Sequence, residues 1–180
     1  VSIFVNPIQF NNPGDLAAYP RDEVVRALIR TALRTEPGAE AEALLAIESL
    51  GQMLISGPEG AQRGASALVS VLDQTRERAD TDARRSEALK RLRGLPEDGS
   101  VSADLRAGVL ATVRASIANG GADAVRVEAA LTAADLADQA ALAPLVKWWA
   151  ARPEPAVGEA LRALLEAVVR AGPCGDGDVA

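Results

Sequence analysis

Histidine is missing altogether from the 180 residues, cysteine occurs once, and aromatic side chains make up only 3%. Without imidazole there is no histidine general acid or base, no Ser-His or Cys-His nucleophile pair, and no zinc site built on imidazole. The sole cysteine, Cys174, sits in a Gly-rich stretch without adjacent basic groups. It closes no internal disulfide and has no evident means of thiolate activation, and a cytoplasmic location is the default expectation. No run of about eighteen apolar residues exists, so no membrane span is expected. The apolar start lacks the basic flank of a signal peptide. It opens on Val rather than Met, as expected of a processed, trimmed or engineered start.

Apolar residues nevertheless reach 48%, so the core must be built from Ala, Leu and Val, side chains that suit closely packed helices. The formal charge is −6 and the pI about 4.8. An acidic surface argues against a nucleic-acid partner and against a helical-repeat nucleic-acid enzyme, because phosphate neutralisation needs a basic one. The basic residues are almost all Arg, with lysine only at Lys90 and Lys147. The acid pairs Asp135 with Asp138 and Glu40 with Glu42 lack a ligand set for a metal and read as caps and surface charge; no cofactor is expected.

From Asp22 onward apolar residues recur every three and four positions. Val24, Val25, Leu28, Ile29 and Leu33 form one stripe with Arg26, Arg30 and Arg34 opposite, and Pro37-Gly38 supplies the exit. Further helices are expected over about 39–55, carrying Leu44, Leu45, Ile47, Leu50, Met53 and Leu54, and over about 59–78, with Ala65, Leu68, Val69, Val71 and Leu72 inward. Asp80-Thr81-Asp82 is expected to cap a fourth at 81–93. Ser102 or Asp104 starts a fifth, stopped near 118 by Asn119-Gly120-Gly121. The last three cover about 122–136, 139–151 and 155–171. Residues 172–180 read as a disordered tail.

Self-similarity is visible between residues 123–149 and 154–168: each begins with a turn residue and Ala-Val, then an Ala/Leu-rich amphipathic helix. Residues 123–168 resemble the short HEAT-like repeats of bacterial α-solenoids. Asp123, Val125, Arg126, Ala129, Ala130, Leu136, Asp138, Leu142, Leu145 and Val146 fall at the corresponding positions. The resemblance implies an all-α, right-handed α-solenoid over residues 22–171, with helix pairs at about 40–77, 81–118 and 122–150 and a final helix from 155. A non-repeating helical bundle is the alternative.

The opening stretch, "SIFVNPIQF" followed by "DLAAYPR", has a different character: a β-branched run closed by Asn6-Pro7. It resembles pantothenate synthetase, the ligase that activates pantoate with ATP and joins it to β-alanine. The resemblance implies that Gln9, in the Asn-Pro-x-Gln-Phe loop, helps hold pantoate, and that Tyr19-Pro20-Arg21 matches a helical element of the family. The family's His-x-Gly-His, its Lys-bearing motif and its Ser-Ser-Arg-Asn motif have no counterpart in the chain, and the pattern is expected to stop at Arg21. Residues 1–21 therefore read as a rearranged or mis-started fragment, an engineered appendage or a reused docking segment, extended or poorly ordered because a lone strand has no partner for its backbone groups.

The leading expectation is a non-catalytic scaffold, not an enzyme, that binds another protein of unknown identity, with no nucleic acid and no membrane as partner. The contrasting one is a partial or degenerate pantothenate synthetase. Trp148 and Trp149 point about 100° apart on a helix, so one is core and the other a groove anchor or rim residue. Arg126, Arg84 and Arg85 complete the candidate partner-binding set. The cluster Arg76, Arg78, Arg84, Arg85, Lys90, Arg91 and Arg93, interleaved with acids, is expected to form a solvated, salt-bridged turn.

Overall fold

The structure, a computed structural model, describes residues 21–172, among which there is no strand. Eight α-helices run in order among these residues: α1 (Arg21–Ala32), α2 (Glu40–Gln52), α3 (Pro58–Thr75), α4 (Asp82–Leu92), α5 (Ala103–Asn119), α6 (Asp123–Asp135), α7 (Leu142–Ala151) and α8 (Pro155–Ala171). Short 3₁₀ turns at Met53–Ile55, Ala79–Thr81 and Gln139–Ala141 follow α2 and precede α4 and α7. Apart from Arg21 and Gly172, the segments read as an extended front and a disordered tail lie outside the described residues.

Local chemistry accounts for most of the boundaries. Pro58 and Pro155 open α3 and α8, where a missing N–H costs nothing, and Gly57 takes the φ of +97° that the turn before Pro58 requires. Ser102 caps α5, its hydroxyl accepting the Leu105 N–H at 3.4 Å. The cap expected from Asp80-Thr81-Asp82 does not form. The Thr81 hydroxyl instead donates backwards, to the Arg78 carbonyl at 2.7 Å and the Thr75 carbonyl at 3.1 Å, and so ties off the end of α3.

The helices stand in two rows. In one, α1, α3, α5 and α7 each pack on the next; in the other, α2, α4, α6 and α8 do the same. Across the rows α1 packs on α2, α3 on α4, α5 on α6 and α7 on α8, whereas α4 with α5 and α6 with α7 barely touch. The sequence-based pairing of 81–118 and 122–150 is thus one helix out of phase. The reason lies in the connections: the turn from Arg76 to Thr81 folds α4 back on α3, while the longer loop Arg93–Ser102 carries the chain from α4 over to the next α3-row position.

One continuous core runs between the rows, from Ala32 to Leu164. Its fully buried members include Ile47, Leu50, Leu68, Leu89, Leu92, Ile117, Leu145 and Leu164, each contributing about 1.5–3 kcal/mol on leaving water. Small residues let the backbones approach: Ala43 and Ala46 of α2 point into the core, and Leu45 is left 58% exposed. A stripe of Ala43, Ala46, Ile47 and Leu50 obeys the helical period, and Leu45 falls off it. Gln62 of α3 and Ser102 lock the α3 and α5 neighbours in register, the Gln62 amide donating to the Ser102 hydroxyl at 3.1 Å and accepting the Ser102 N–H at 2.9 Å.

Candidate functional site

Helix C-termini leave carbonyls without intrahelical partners, and three of the candidate arginines are spent on them. Arg84 reaches from α4 to the end of α1, donating to the Ala32 carbonyl at 3.4 Å and to that of Arg34, while its Nε meets Glu40 at 2.7 Å. Arg85 donates to the Gly120 carbonyl at 2.7 Å, just beyond α5, and lies 3.6 Å from Asp82. Arg126 donates from Nε to the Ile117 carbonyl at 2.8 Å, in the last turn of α5. A cation at a helix C-terminus also meets the negative end of the dipole. Arg84 and Arg85 are 5% and 3% exposed, so they are not part of a solvated turn.

Burial is the main influence on both Arg85 and Arg126 and pushes their pKa down, opposed by Asp82 and Asp123 respectively, with Arg76 and Arg152 adding to the depression. A guanidinium has ample margin to stay charged through this. Trp148 packs beneath Arg126, whose guanidinium carbon stands 3.9 Å from the ring centroid. Trp148 is 5% exposed and Trp149 42% exposed, as the 100° offset requires. The structure therefore gathers Arg85, Arg126 and Trp148 around the end of α5, leaves Arg84 apart at the end of α1, and turns Trp149 outward beside Gly158 of α8. Trp149 is the member of the predicted set that offers an exposed aromatic surface; Trp148, Arg84 and Arg85 are interior fastenings, and Arg126 is held between a ring and a carbonyl.

A second region went unmarked in the sequence beyond its arginines. A cavity of about 500 Å³ runs along α1 to the end of α3, lined by Glu23, Arg26, Ile29, Arg30, Leu33 and Gln74. Its floor is apolar and its rim carries both signs of charge. The Arg26–Arg30 spacing was legible as a helix face; the contribution of Gln74 was not, because it depends on α3 packing beside α1. Gln9 lies outside the described residues. No group of His, Cys, Asp or Glu among the described residues is arranged to hold a metal ion. None of the described helices is long and apolar enough to cross a membrane.

Comparison with known proteins bears on the front of the chain. The family model described as pantoate-beta-alanine ligase matches residues 1–32. The pantothenate synthetase of Chelativorans sp. (strain BNC1) is 40% identical over 74 residues, which are 39% of this chain and 20% of that protein. The chain thus spans about a fifth of the length of the curated relative it matches. No solved structure matches. The family likeness runs past Arg21 through the whole of α1, farther than the motifs reach, since α1 contributes only spaced apolar residues and no signature of its own.

Proposed function

We propose that residues 1–32 are the pantoate-side element of a pantoate–β-alanine ligase, carried here on a non-catalytic helical body. The observation that supports this is the coincidence of the family match with Asn6-Pro7-Ile8-Gln9-Phe10 and Tyr19-Pro20-Arg21. The Gln9 amide can donate to a carboxylate or hydroxyl and accept from a hydroxyl, which suits a hydroxy acid. Adenylate formation needs, in addition, donors aimed at the transferring phosphate. With no histidine and two lysines in the chain, these 180 residues bind pantoate without transferring a nucleotide.

Titration calorimetry of the full chain tests this. Saturable heat with pantoate, abolished by Gln9→Ala, is expected, with no heat from ATP. Silence with pantoate overturns the reading, and binding of ATP overturns its non-catalytic part.

A second reading is favoured by the two-row stacking of helices, the arrangement a HEAT-like solenoid would have: a scaffold that takes another protein on its exposed surface. Trp149 and Val146, one turn apart on α7 and 42% and 47% exposed, support a contact there. Capture of a protein by the full chain, lost on Trp149→Ala and retained without residues 1–21, would favour this reading over the first.

A further inference from the structure

α8 is the last described helix of its row, and α6 and α7 cover its inner side. Val157, Ala160 and Leu164 are buried there, while Leu165 and Val169 stand 46% and 79% exposed. Leu161 and Val168, both half-buried, flank this outer ridge. A helix that closes a stacked array ordinarily turns a polar face outward. An apolar ridge in that place marks a surface of association.

The charges beside the ridge say what associates with it. Four exposed charged residues follow one another along α8 as Glu159, Arg162, Glu166 and Arg170, so their sign alternates. Within the helix Arg162 and Glu166 meet only at 4.0 Å, and Glu159 and Arg170 have no partner among the described residues. Turned end over end, an alternating row is its own complement. We propose that α8 is the contact face of a homodimer, in which the α8 helices of two copies pack antiparallel across a two-fold axis passing between Leu164 and Leu165.

In that register Glu159 faces Arg170 of the second copy, Arg162 comes beside its Glu166, and Leu161 faces its Val168. A parallel copy in register would set each charge against its like. α1, at the opposite end of the array, is a poorer match: its exposed Asp22, Glu23, Arg26 and Arg30 come as two acids and then two bases. Laid against α8 in either direction, that order cannot satisfy all four charges, so an end-to-end chain of copies is disfavoured.

The inference goes beyond both readings of the function and rests on neither, since its test contains no ligand and no other protein. Sedimentation equilibrium is measured on the full chain with its thiol kept reduced, up to millimolar concentration. A reversible monomer–dimer equilibrium is expected. Leu165→Glu, at an exposed site, is expected to give a monomer with the far-UV spectrum of the parent. Glu159→Arg sets like charges together at two symmetric places and is expected to weaken the dimer about tenfold. Adding Arg170→Glu makes the signs opposite again and is expected to recover the affinity. A monomer at every concentration overturns the proposal, as does a dimer indifferent to Leu165→Glu or one that the charge exchange fails to recover. Growth beyond the dimer with rising concentration means end-to-end stacking and overturns it as well.

Discussion

The two end helices, α1 and α8, are both amphipathic, and each has a neighbour on one side only within its row. They use their apolar residues differently. α8 drives Val157, Ala160 and Leu164 completely into α6 and α7 and leaves Leu165 and Val169 outside. α1 spreads its burial thinly over Val24, Val25, Leu28 and Ile29, all half-buried, and encloses only the small Ala32. A helix of suitable pattern is therefore not sufficient for a sealed end. What seals it is a row neighbour that meets the stripe squarely, and α6 does this for α8 more fully than α3 does for α1.

The sharpest way to break the comparison is to truncate one leucine on each helix. Leu164→Ala removes a fully buried side chain and is expected to cost about 2–5 kcal/mol in urea unfolding. Leu28→Ala, at a half-buried site, should cost about 1 kcal/mol or less, in proportion to the apolar area it covers. Equal costs would mean that α1 is as firmly seated as α8.

Next in size are the buried arginines. Arg85→Met leaves the buried Gly120 carbonyl without its donor, a loss of about 1–3 kcal/mol. Amide exchange is expected to quicken around the end of α5. Arg84→Met leaves the Ala32 and Arg34 carbonyls at the end of α1 without their donor and Glu40 without its partner. It should loosen α1 while leaving exchange in α8 unchanged, which would set the two ends further apart. If Arg84→Met loosened both ends alike, the clamp would be a global rather than a local fastening.

How far the sequence could foresee this differs between the two sorts of information. Helix positions were legible because they rest on local chemistry, with Pro at the starts, Gly and Asn at the stops, and spacing every three and four residues. Which helices lie side by side was not, since nothing local tells the turn after Thr75 from the loop after Leu92 as a return or a crossing. Arg84 and Arg85 were misread for the same reason. Surrounded by acids in sequence, they look solvated, and only the distant carbonyls of Ala32, Arg34 and Gly120 draw them inward. At the candidate site the Asn-Pro-x-Gln-Phe loop was legible as a motif, whereas the α1 groove needed Gln74 from another helix.

A smaller effect is expected at the turn after α6. Ala137 has a φ of +50°, and the following Asp138 N–H bonds back to the Ala133 carbonyl at 2.9 Å, the arrangement that usually places glycine at the left-handed position. Ala137→Gly relieves the Cβ strain, partly offset by the greater freedom of the unfolded chain, and should stabilise the fold by about 0.5–1 kcal/mol. This would sharpen the contrast between a well-seated α6–α8 end and a loosely seated α1. A loss of stability would show that the strain is not at this residue.

The last effect is a change of slope rather than of midpoint. Asp138 is 7% exposed. One carboxylate oxygen accepts the Ala140 N–H at 3.2 Å, while the other faces Arg114 of α5 at 3.5 Å without a hydrogen bond. Burial pushes its pKa above the ordinary 3.8, with Arg114 and the Ala140 N–H pulling the other way. A carboxyl whose folded pKa is raised binds its proton more tightly in the folded state, so its contribution to stability declines as pH rises from about the ordinary aspartate value through the raised one. Asp98, held low chiefly by the Ser100 hydroxyl and N–H, runs the opposite way. Asp138→Asn keeps an acceptor for Ala140 and abolishes the titration, so the pH profile of stability should lose the component that declines above about pH 4 and keep the Asp98 component, which rises mainly below it. An unchanged profile would mean that Arg114 already compensates the buried charge in full, and that the α6–α7 turn is electrostatically as settled as the exposed loop at Asp98.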